Sequence, residues 1–156
     1  MIIRLITEKD YKNVADMIAR SVSNSAFTKF YPQQSIDYIK KSLDADGVKK
    51  RASWTHFYVI EKDNKIIACG AIGPYWDSKT ESSLFNIFVD ENYQGQGFGR
   101  KIIETLEKDE YFFRAKRIEI PASITACEFY KKMGYTYKNG IDDVDEEQLY
   151  RLEKFR

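Results

Sequence analysis

The sequence contains few residues of the kinds that build metal sites. Its 156 residues include two cysteines, Cys69 and Cys127, and one histidine, His56. A structural zinc site usually takes about four cysteine or histidine ligands, so we expect no metal in this protein. The chain is 43% hydrophobic, which is enough to build a core without disulfides. We therefore expect reduced thiols and a cytoplasmic protein.

The sequence also lacks an excess of one charge and a long apolar run. Lysine and arginine number 25 against 24 aspartates and glutamates, and the two signs are interspersed. Nucleic-acid-binding proteins neutralise phosphates with a basic face, so we expect no nucleic-acid partner. The short basic stretch Lys49–Arg51 is interpreted as solvated surface. No apolar run approaches the ~20 residues that span a bilayer, and no opening segment has the pattern of a signal peptide, so we expect no membrane partner.

Hydrophobic periodicity predicts a single domain, residues 1–156, built from strands and helices. Thr7 precedes a helix whose apolar residues recur every three or four positions, and Asp63–Lys65 joins two strands as a tight turn. The apolar run Leu84–Val89, broken only by Asn86, is typical of a central strand. The predicted strands cover residues 1–6, 57–60, 66–72, 84–89, 117–120, 135–137 and 148–152, and the helices begin near residues 7, 35, 98 and 123. This order indicates a mixed α/β sheet with helices on its faces.

Three alternating glycines, Gly95, Gly97 and Gly99, lie between the apolar run and a predicted amphipathic helix. Glycines let the backbone approach a ligand closely, and the free N–H groups at a helix start suit a phosphate. A P-loop would end in Gly-Lys-Ser/Thr, and the Rossmann fingerprint needs a third glycine where Arg100 stands, so the loop matches neither. The loop is therefore a phosphate site of another kind, or a turn without a ligand.

Two stretches of the sequence resemble one family. Gln94–Gly99 (QGQGFG) matches the Q/R-x-x-G-x-G/A signature of the GNAT superfamily, the acyl-CoA-dependent N-acetyltransferases. Ser123–Tyr135 (SITACEFYKKMGY) is similar to that family's N-x-x-A-x-x-F-Y-x-x-x-G-F/Y helix, with serine in place of the asparagine. The spacing between the stretches and the order of elements before them also fit, so the resemblance covers essentially the whole chain.

The resemblance implies a fold, a reaction and a set of residues. The fold is a central sheet of six to seven strands, mostly antiparallel and then parallel, flanked by about four helices. The reaction transfers an acetyl group from acetyl-CoA to an amine by direct attack in a ternary complex. The residues that would hold the coenzyme lie at the end of the central strand, in the glycine loop and before the downstream helix: Ile87, Phe88, Val89, Gln94, Gly95, Gln96, Gly97, Phe98, Gly99, Arg100 and Ser123.

The resemblance also points to an acid and a base. Tyr130 matches the tyrosine that protonates the departing thiolate in this family, although its position on an apolar helix face also fits a packing role. Some family members carry a glutamate base on the central strand, where this chain has Ser83. Glu81 is two residues earlier on the same strand face, so it is our candidate base through a bridging water. His56 is a further candidate, against the simpler interpretation of a strand-edge residue without a role.

The amine acceptor is expected between the first helices and the sheet. The candidate contacts are five aromatic residues that could bind a cation or an apolar group: Phe27, Phe30, Tyr31, Tyr75 and Trp76. Packing of the helices onto the sheet is their alternative role. The acceptor is expected to be a small molecule or a protein amino group, and the protein a monomer or a homodimer. A non-catalytic acyl-CoA sensor and an unrelated nucleotide-phosphate binder are alternative functions.

Overall fold

A seven-stranded sheet organises the computed structural model, which describes residues 1–156. Its strands are β1 (Ile2–Leu5), β2 (His56–Lys62), β3 (Lys65–Pro74), β4 (Glu81–Val89), β5 (Arg117–Ala122), β6 (Thr136–Tyr137) and β7 (Tyr150–Phe155). Their spatial order is β1-β2-β3-β4-β5-β7-β6. Strands β4 and β5 are parallel, and every other neighbouring pair is antiparallel. This arrangement confirms the mixed sheet that the sequence predicts, with β4 as its central strand.

Helices cover both faces of the sheet. They are α1 (Tyr11–Ser23), α2 (Ser25–Thr28), α3 (Gln33–Ser42), α4 (Ala45–Ala52), α5 (Phe98–Leu106), α6 (Glu110–Phe113) and α7 (Cys127–Lys132). The sequence predicts α1, α3, α5 and α7 and misses the three others, each of which is eight residues or shorter. No helix is long and apolar enough to cross a membrane.

Two helix starts differ from the prediction. The sequence predicts no helix start between residues 44 and 47, but α4 begins there, because the Asp44 carboxylate caps the helix by accepting a hydrogen bond from the Gly47 N–H (2.8 Å). Conversely, α7 begins at Cys127 rather than at Ser123. The Ser123 hydroxyl pairs with the Thr125 hydroxyl (3.0 Å) instead of capping the helix.

An apolar layer on each face of the sheet holds the helices. Helix α5 buries Ile102 and Leu106 on one face, and α1 buries Met17 and Ile18 on the other. Gly70 on β3 permits the close approach of α5, since a Cβ at this position would lie 2.5 Å from the Ile102 side chain. The central strands are therefore covered on both sides, which accounts for the continuous apolar run of β4.

The sheet divides in its middle. Strands β4 and β5 pair only through Glu81–Ser83 and Arg117–Glu119. Beyond Ser83, β4 pairs with β3 alone, so Ile87–Val89, which are expected to hold the coenzyme, lie on the part of β4 that has no β5 partner. Asn86 has a φ of 54° and lies in a bulge of the β3–β4 ladder. One side of the central strand is thus left without a neighbouring strand.

Candidate functional site

A cleft of about 1170 Å³ opens where β4 and β5 part. Helices α1 to α4 and the β3–β4 loop line one end, and the loop before α5, α5 itself and α7 line the other. The predicted site residues that line the cleft are Phe27, Tyr75, Trp76, Ile87, Phe88, Val89, Gln94, Gly95, Gly97, Phe98, Gly99, Arg100, Ser123 and Tyr130. Four predicted residues do not line it: Phe30, Tyr31, Glu81 and Gln96.

The glycine loop, Gln94–Gly99, joins the end of β4 to α5. Gly95 and Gly97 have φ values of 76° and 88°, in the left-handed region that favours glycine, and a Cβ at either would meet nothing within 4 Å. No backbone N–H from Gly95 to Arg100 donates a hydrogen bond to a backbone carbonyl. Free N–H groups, open space and the N-terminal end of α5 together suit an anion such as a pyrophosphate.

The polar side chains of this loop have different roles. Gln94 lines the cleft, and its Nε2 donates to the Val89 carbonyl (3.1 Å), which holds the loop against the end of β4. Gln96, expected to contact the coenzyme, lies outside the cleft because its Nε2 donates to the Asn92 carbonyl (3.3 Å). Arg100 lines the cleft and adds a positive charge beside the free N–H groups.

Tyr130, on α7, is both a core residue and a cleft residue. Its side chain is buried and lines the cleft, and its ring packs against that of Phe129 (centroids 5.5 Å apart). Burial and, to a smaller extent, the neighbouring Cys69 thiol raise the pKa of its hydroxyl above the usual value, so the hydroxyl is protonated at neutral pH. No protein group accepts its proton in a hydrogen bond, which leaves the hydroxyl available to a ligand.

Two glutamates near the division are held by cations. Glu81, expected as a base, lies outside the cleft, and Arg117 Nε binds its carboxylate at 3.1 Å. Glu119 is buried and lines the cleft from the β5 position that pairs with Ser83. Arg117 and Lys138 bind Glu119 Oε1 at 3.0 and 2.8 Å. The geometry therefore does not support Glu81 as the base, since its carboxylate is engaged and outside the cleft.

The predicted aromatic wall separates into contact residues and supports. Phe27 lines the cleft and stacks on Tyr31, with ring centroids 4.5 Å apart. Tyr31 lies outside the cleft and supports Phe27. Its hydroxyl donates to the Gln148 carbonyl (2.8 Å) and accepts from the Ile124 N–H (2.9 Å), which fixes the position of the ring. Phe30 is 48% exposed and lies outside the cleft.

Tyr75 and Trp76 form the opposite side of the acceptor end. The Tyr75 hydroxyl accepts a hydrogen bond from Lys138 Nζ (3.1 Å), and its ring lies over the Arg117 guanidinium at 4.9 Å, so Tyr75 covers the ion pairs around Glu119. Trp76 is 82% exposed at the cleft mouth and has a φ of 45°. Its indole face is thus available to an incoming molecule.

Arg51 lines the cleft, although the sequence pattern predicts Lys49–Arg51 as solvated surface. It is partly buried near the end of α4, and its guanidinium lies 4.3 Å from the ring centroid of Phe85 and 5.2 Å from that of Trp54. No carboxylate lies within 4.0 Å of this guanidinium, and burial lowers its pKa. The sequence carries one weak signal for it: Val48 is apolar and lies three positions earlier, and residues three apart share a face once the segment is known to be helical.

His56 lies away from the cleft. Its Nδ1 is 2.8 Å from the Asp109 carboxylate, to which the Tyr58 hydroxyl also donates (2.7 Å). The Tyr111 N–H donates to the same carboxylate (2.8 Å), so Asp109 ties the start of β2 to the start of α6. No group of three or more histidine, cysteine or acidic side chains is arranged to hold a metal ion.

The sequence matches a family model over more than half of its length. The model describes an acetyltransferase (GNAT) domain, and the match covers residues 53–137, from before β2 to the end of β6. The chain belongs to the GNAT acetyltransferases. As a member of this family it is an acyltransferase that takes its acyl group from a CoA thioester.

Solved GNAT structures share the whole fold at low sequence identity. The PaiA N-acetyltransferase of Thermoplasma acidophilum, in complex with coenzyme A, is 14% identical, with a TM-score of 0.83 over 99% of this chain and 98% of its own. A GCN5-related N-acetyltransferase of Rhodopseudomonas palustris is 17% identical, with a TM-score of 0.78 over 99% and 95%. A GNAT acetyltransferase of Staphylococcus aureus is 14% identical, with a TM-score of 0.72 over 99% and 98%. Comparison with curated protein sequences gives no match.

Proposed function

We propose that this GNAT protein transfers the acetyl group of acetyl-CoA to a primary amine, on a small molecule or a protein, by direct attack in a ternary complex. The observation that carries the proposal is the division between β4 and β5, which opens one cleft shared by the glycine loop, the free side of β4 and the Tyr130 hydroxyl. An anion site, backbone donors and a protonated hydroxyl are the groups that aminolysis of a CoA thioester requires.

The residues of the cleft fit acetyl-CoA at both of its ends. The N–H groups of Gly95–Arg100, which have no backbone partner, would bind the pyrophosphate. The pantetheine arm contains amides, which can pair with a free strand edge, and Ile87–Val89 offer such an edge on the side facing away from β3. Ser123 and Arg100 line the same end of the cleft and would complete the coenzyme site.

Attack on the thioester makes demands that the chain's own groups can meet. An alkyl ammonium with a pKa near 10 must first lose a proton, which costs about 4 kcal/mol at pH 7. The amine lone pair then forms a C–N bond, and the carbonyl oxygen gains negative charge that N–H groups of Ile87–Val89 would stabilise. As the C–S bond breaks, Tyr130 would give its hydroxyl proton to the departing thiolate, whose conjugate thiol has a pKa near 8.5. The nitrogen loses its second proton as the amide forms, and that proton would return to the tyrosinate through water.

We infer that the acceptor's ammonium proton leaves to water rather than to a side chain. Arg117 holds Glu81, and Arg117 and Lys138 hold Glu119, so neither carboxylate is free to take it. The acceptor end of the cleft is open to solvent beside the exposed Trp76. A chain of waters can therefore carry the proton out.

Ligand-dependent thermal unfolding tests the coenzyme site. Acetyl-CoA and CoA should each raise the melting temperature, because a ligand at about one hundred times its Kd adds about 2.7 kcal/mol to the free energy of unfolding. ATP at the same concentration is the control, since it supplies phosphates without a pantetheine arm. Stabilisation by ATP and not by CoA would instead support an unrelated nucleotide-phosphate binder.

A thiol-release assay tests the transfer itself. We expect CoA to be released in proportion to added amine across a panel of amino acids, polyamines, aminoglycosides and peptides, with the acetylated amine detected by mass spectrometry. Binding of acetyl-CoA without release on any amine would favour a non-catalytic acyl-CoA sensor.

A further inference from the structure

Arg51 has a position that the proposed chemistry does not explain. Its guanidinium lines the acceptor end of the cleft, is partly desolvated, and has no carboxylate within 4.0 Å. Taking a cation out of water without an opposing charge is unfavourable, and proteins normally pair such groups. The neighbouring Lys49 and Lys50 on α4 are exposed and lie outside the cleft, so Arg51 is the one basic residue of this stretch that lines it.

The other cations of the acceptor end are already neutralised. Arg151 lines the cleft, and its guanidinium lies 2.7 Å from Asp145 and 3.7 Å from Glu119. Lys138 binds Glu119 at 2.8 Å. Arg100 also lines the cleft but lies at the opposite end, beside the glycine loop. Arg51 is therefore the cation at the acceptor end that has no counter-charge within the chain.

Two aromatic rings hold the Arg51 guanidinium in place. It lies over Phe85 at 4.3 Å and near Trp54 at 5.2 Å, and these two rings contact each other edge to face (centroids 5.1 Å apart). A guanidinium on an aromatic face keeps its N–H groups free in its own plane. That plane matches a carboxylate, which accepts two parallel hydrogen bonds from one arginine.

We propose that Arg51 binds a carboxylate on the acceptor, so that the substrates of this enzyme are amines that also carry an acid group. This inference rests on the proposed acetyl transfer in the same cleft. A single unpaired cation suits a monoanionic carboxylate better than a phosphate, which carries nearly two negative charges at pH 7. It also disfavours polyamines, because a second ammonium group would face Arg51.

The location of Arg51 along β4 fits this role. Phe85, on which it stacks, immediately precedes the bulge at Asn86, and Ile87–Val89 follow. A strand rises about 3.3 Å per residue, so Phe85, whose ring the guanidinium contacts, lies within about two residues of the strand segment proposed to hold the thioester. An acceptor with its amine and its carboxylate a few bonds apart can therefore reach both positions.

Matched acid and amide acceptors test the inference. Glycine, phenylalanine and 4-aminobutyrate would be compared with their carboxamides, and spermidine added as a polycation, by thiol release with the wild type, Arg51→Gln, Arg51→Lys and Lys50→Gln. For the best acid of the three we expect kcat/KM, expressed per unprotonated amine, about tenfold to a hundredfold above that of its amide, the range for a hydrogen-bonded charge. Arg51→Gln should abolish this preference, Arg51→Lys should keep part of it, and the exposed-site control Lys50→Gln should keep all of it.

Two further measurements keep the outcomes separate. Urea unfolding of each variant checks that the fold is intact, and calorimetric binding of the same acids and amides to the CoA-bound enzyme does not need turnover. Acetylation of amides or spermidine as fast as acids at equal concentrations of unprotonated amine would overturn the inference and leave the proposed function standing. If no amine supports thiol release, the proposed function fails, and the binding comparison still decides: equal affinity for acids and amides, including none for either, overturns the carboxylate site.

Discussion

Tyr130 packs in the core through its ring and reaches the cleft through its hydroxyl, and both features matter for its proposed role as an acid. Its ring packs in the layer under α5, which fixes its position, while its hydroxyl meets the cleft without a protein partner. Burial raises its pKa, so the proton is retained across the neutral range and is present when the thiolate departs. Periodicity indicates the packing role, and only the structure shows that the hydroxyl also faces the cleft.

Tyr130→Phe removes this proton donor and little else. We expect kcat to fall by about a hundredfold or more, in the range for loss of a general acid, with the Kd for acetyl-CoA nearly unchanged. Steady-state kinetics and calorimetry would measure the two quantities. Tyr111→Phe is the matched control, since Tyr111 lies outside the cleft and packs against His56. Unchanged turnover in Tyr130→Phe would remove the acid assignment.

The pH dependence of the reaction follows from the proton path. If water takes the ammonium proton, kcat/KM should rise about tenfold per pH unit until the pH approaches the amine pKa, near 10. Tyr130 does not limit the rate in this range, because burial places its pKa above the ordinary value. Glu81→Gln should give a superimposable profile. A wild-type plateau near neutrality that is lost in Glu81→Gln would restore Glu81 as the base.

At the scale of elements, the turn into α5 combines an unusual backbone with open space. Gly97→Ala would place a methyl group in that space and a left-handed φ on alanine, at a cost of about 1 kcal/mol. We expect at least a tenfold loss of affinity for acetyl-CoA, measured by calorimetry. Gly140→Ala controls for the backbone effect, since Gly140 has a φ of 72° and open surroundings but lies outside the cleft. Equal affinities in the two variants would argue against the loop as the coenzyme site.

Elements with long apolar periodicity are predictable from this sequence, and short ones are not. Helix α1 spans 13 residues and repeats buried apolar positions over several turns. Helix α4 has eight residues and one fully buried side chain, Val48, so its pattern resembles that of a polar loop. The same brevity hid Arg51, because a basic residue is recognised as buried only once the helix that carries it is known.

At the scale of the whole molecule, the two ends of the site differ in how far the sequence reveals them. The coenzyme end is contiguous, since β4, the glycine loop and α5 follow one another in the chain, and a local pattern suffices. The acceptor end is assembled from distant segments: Lys138 meets Glu119, and Arg51 meets Phe85, only after the strands and helices have packed. Glu81 is likewise engaged by Arg117, which lies on another strand, so the sequence around Glu81 does not show that its carboxylate is unavailable as a base.

The divided sheet has a consequence for how the protein behaves without its ligands. A sheet that opens in its middle exposes two inner edges in addition to the two outer ones. The β5 edge is interrupted by Pro121, which cannot donate to a ladder, but the β4 edge carries the apolar run Leu84–Val89 with no charge and no proline. Such a segment can pair with the same segment of another copy of the protein when no ligand covers it.

Bound acetyl-CoA would then cover this free strand edge and hinder self-association, in addition to serving as a substrate. We expect the ligand-free protein to scatter light on mild warming at concentrations where the protein with saturating CoA stays clear. If scattering does not depend on CoA, self-association begins elsewhere. If CoA does suppress the scattering, the concentration of coenzyme would determine how much of the protein stays unaggregated, whether or not the enzyme is turning over substrate.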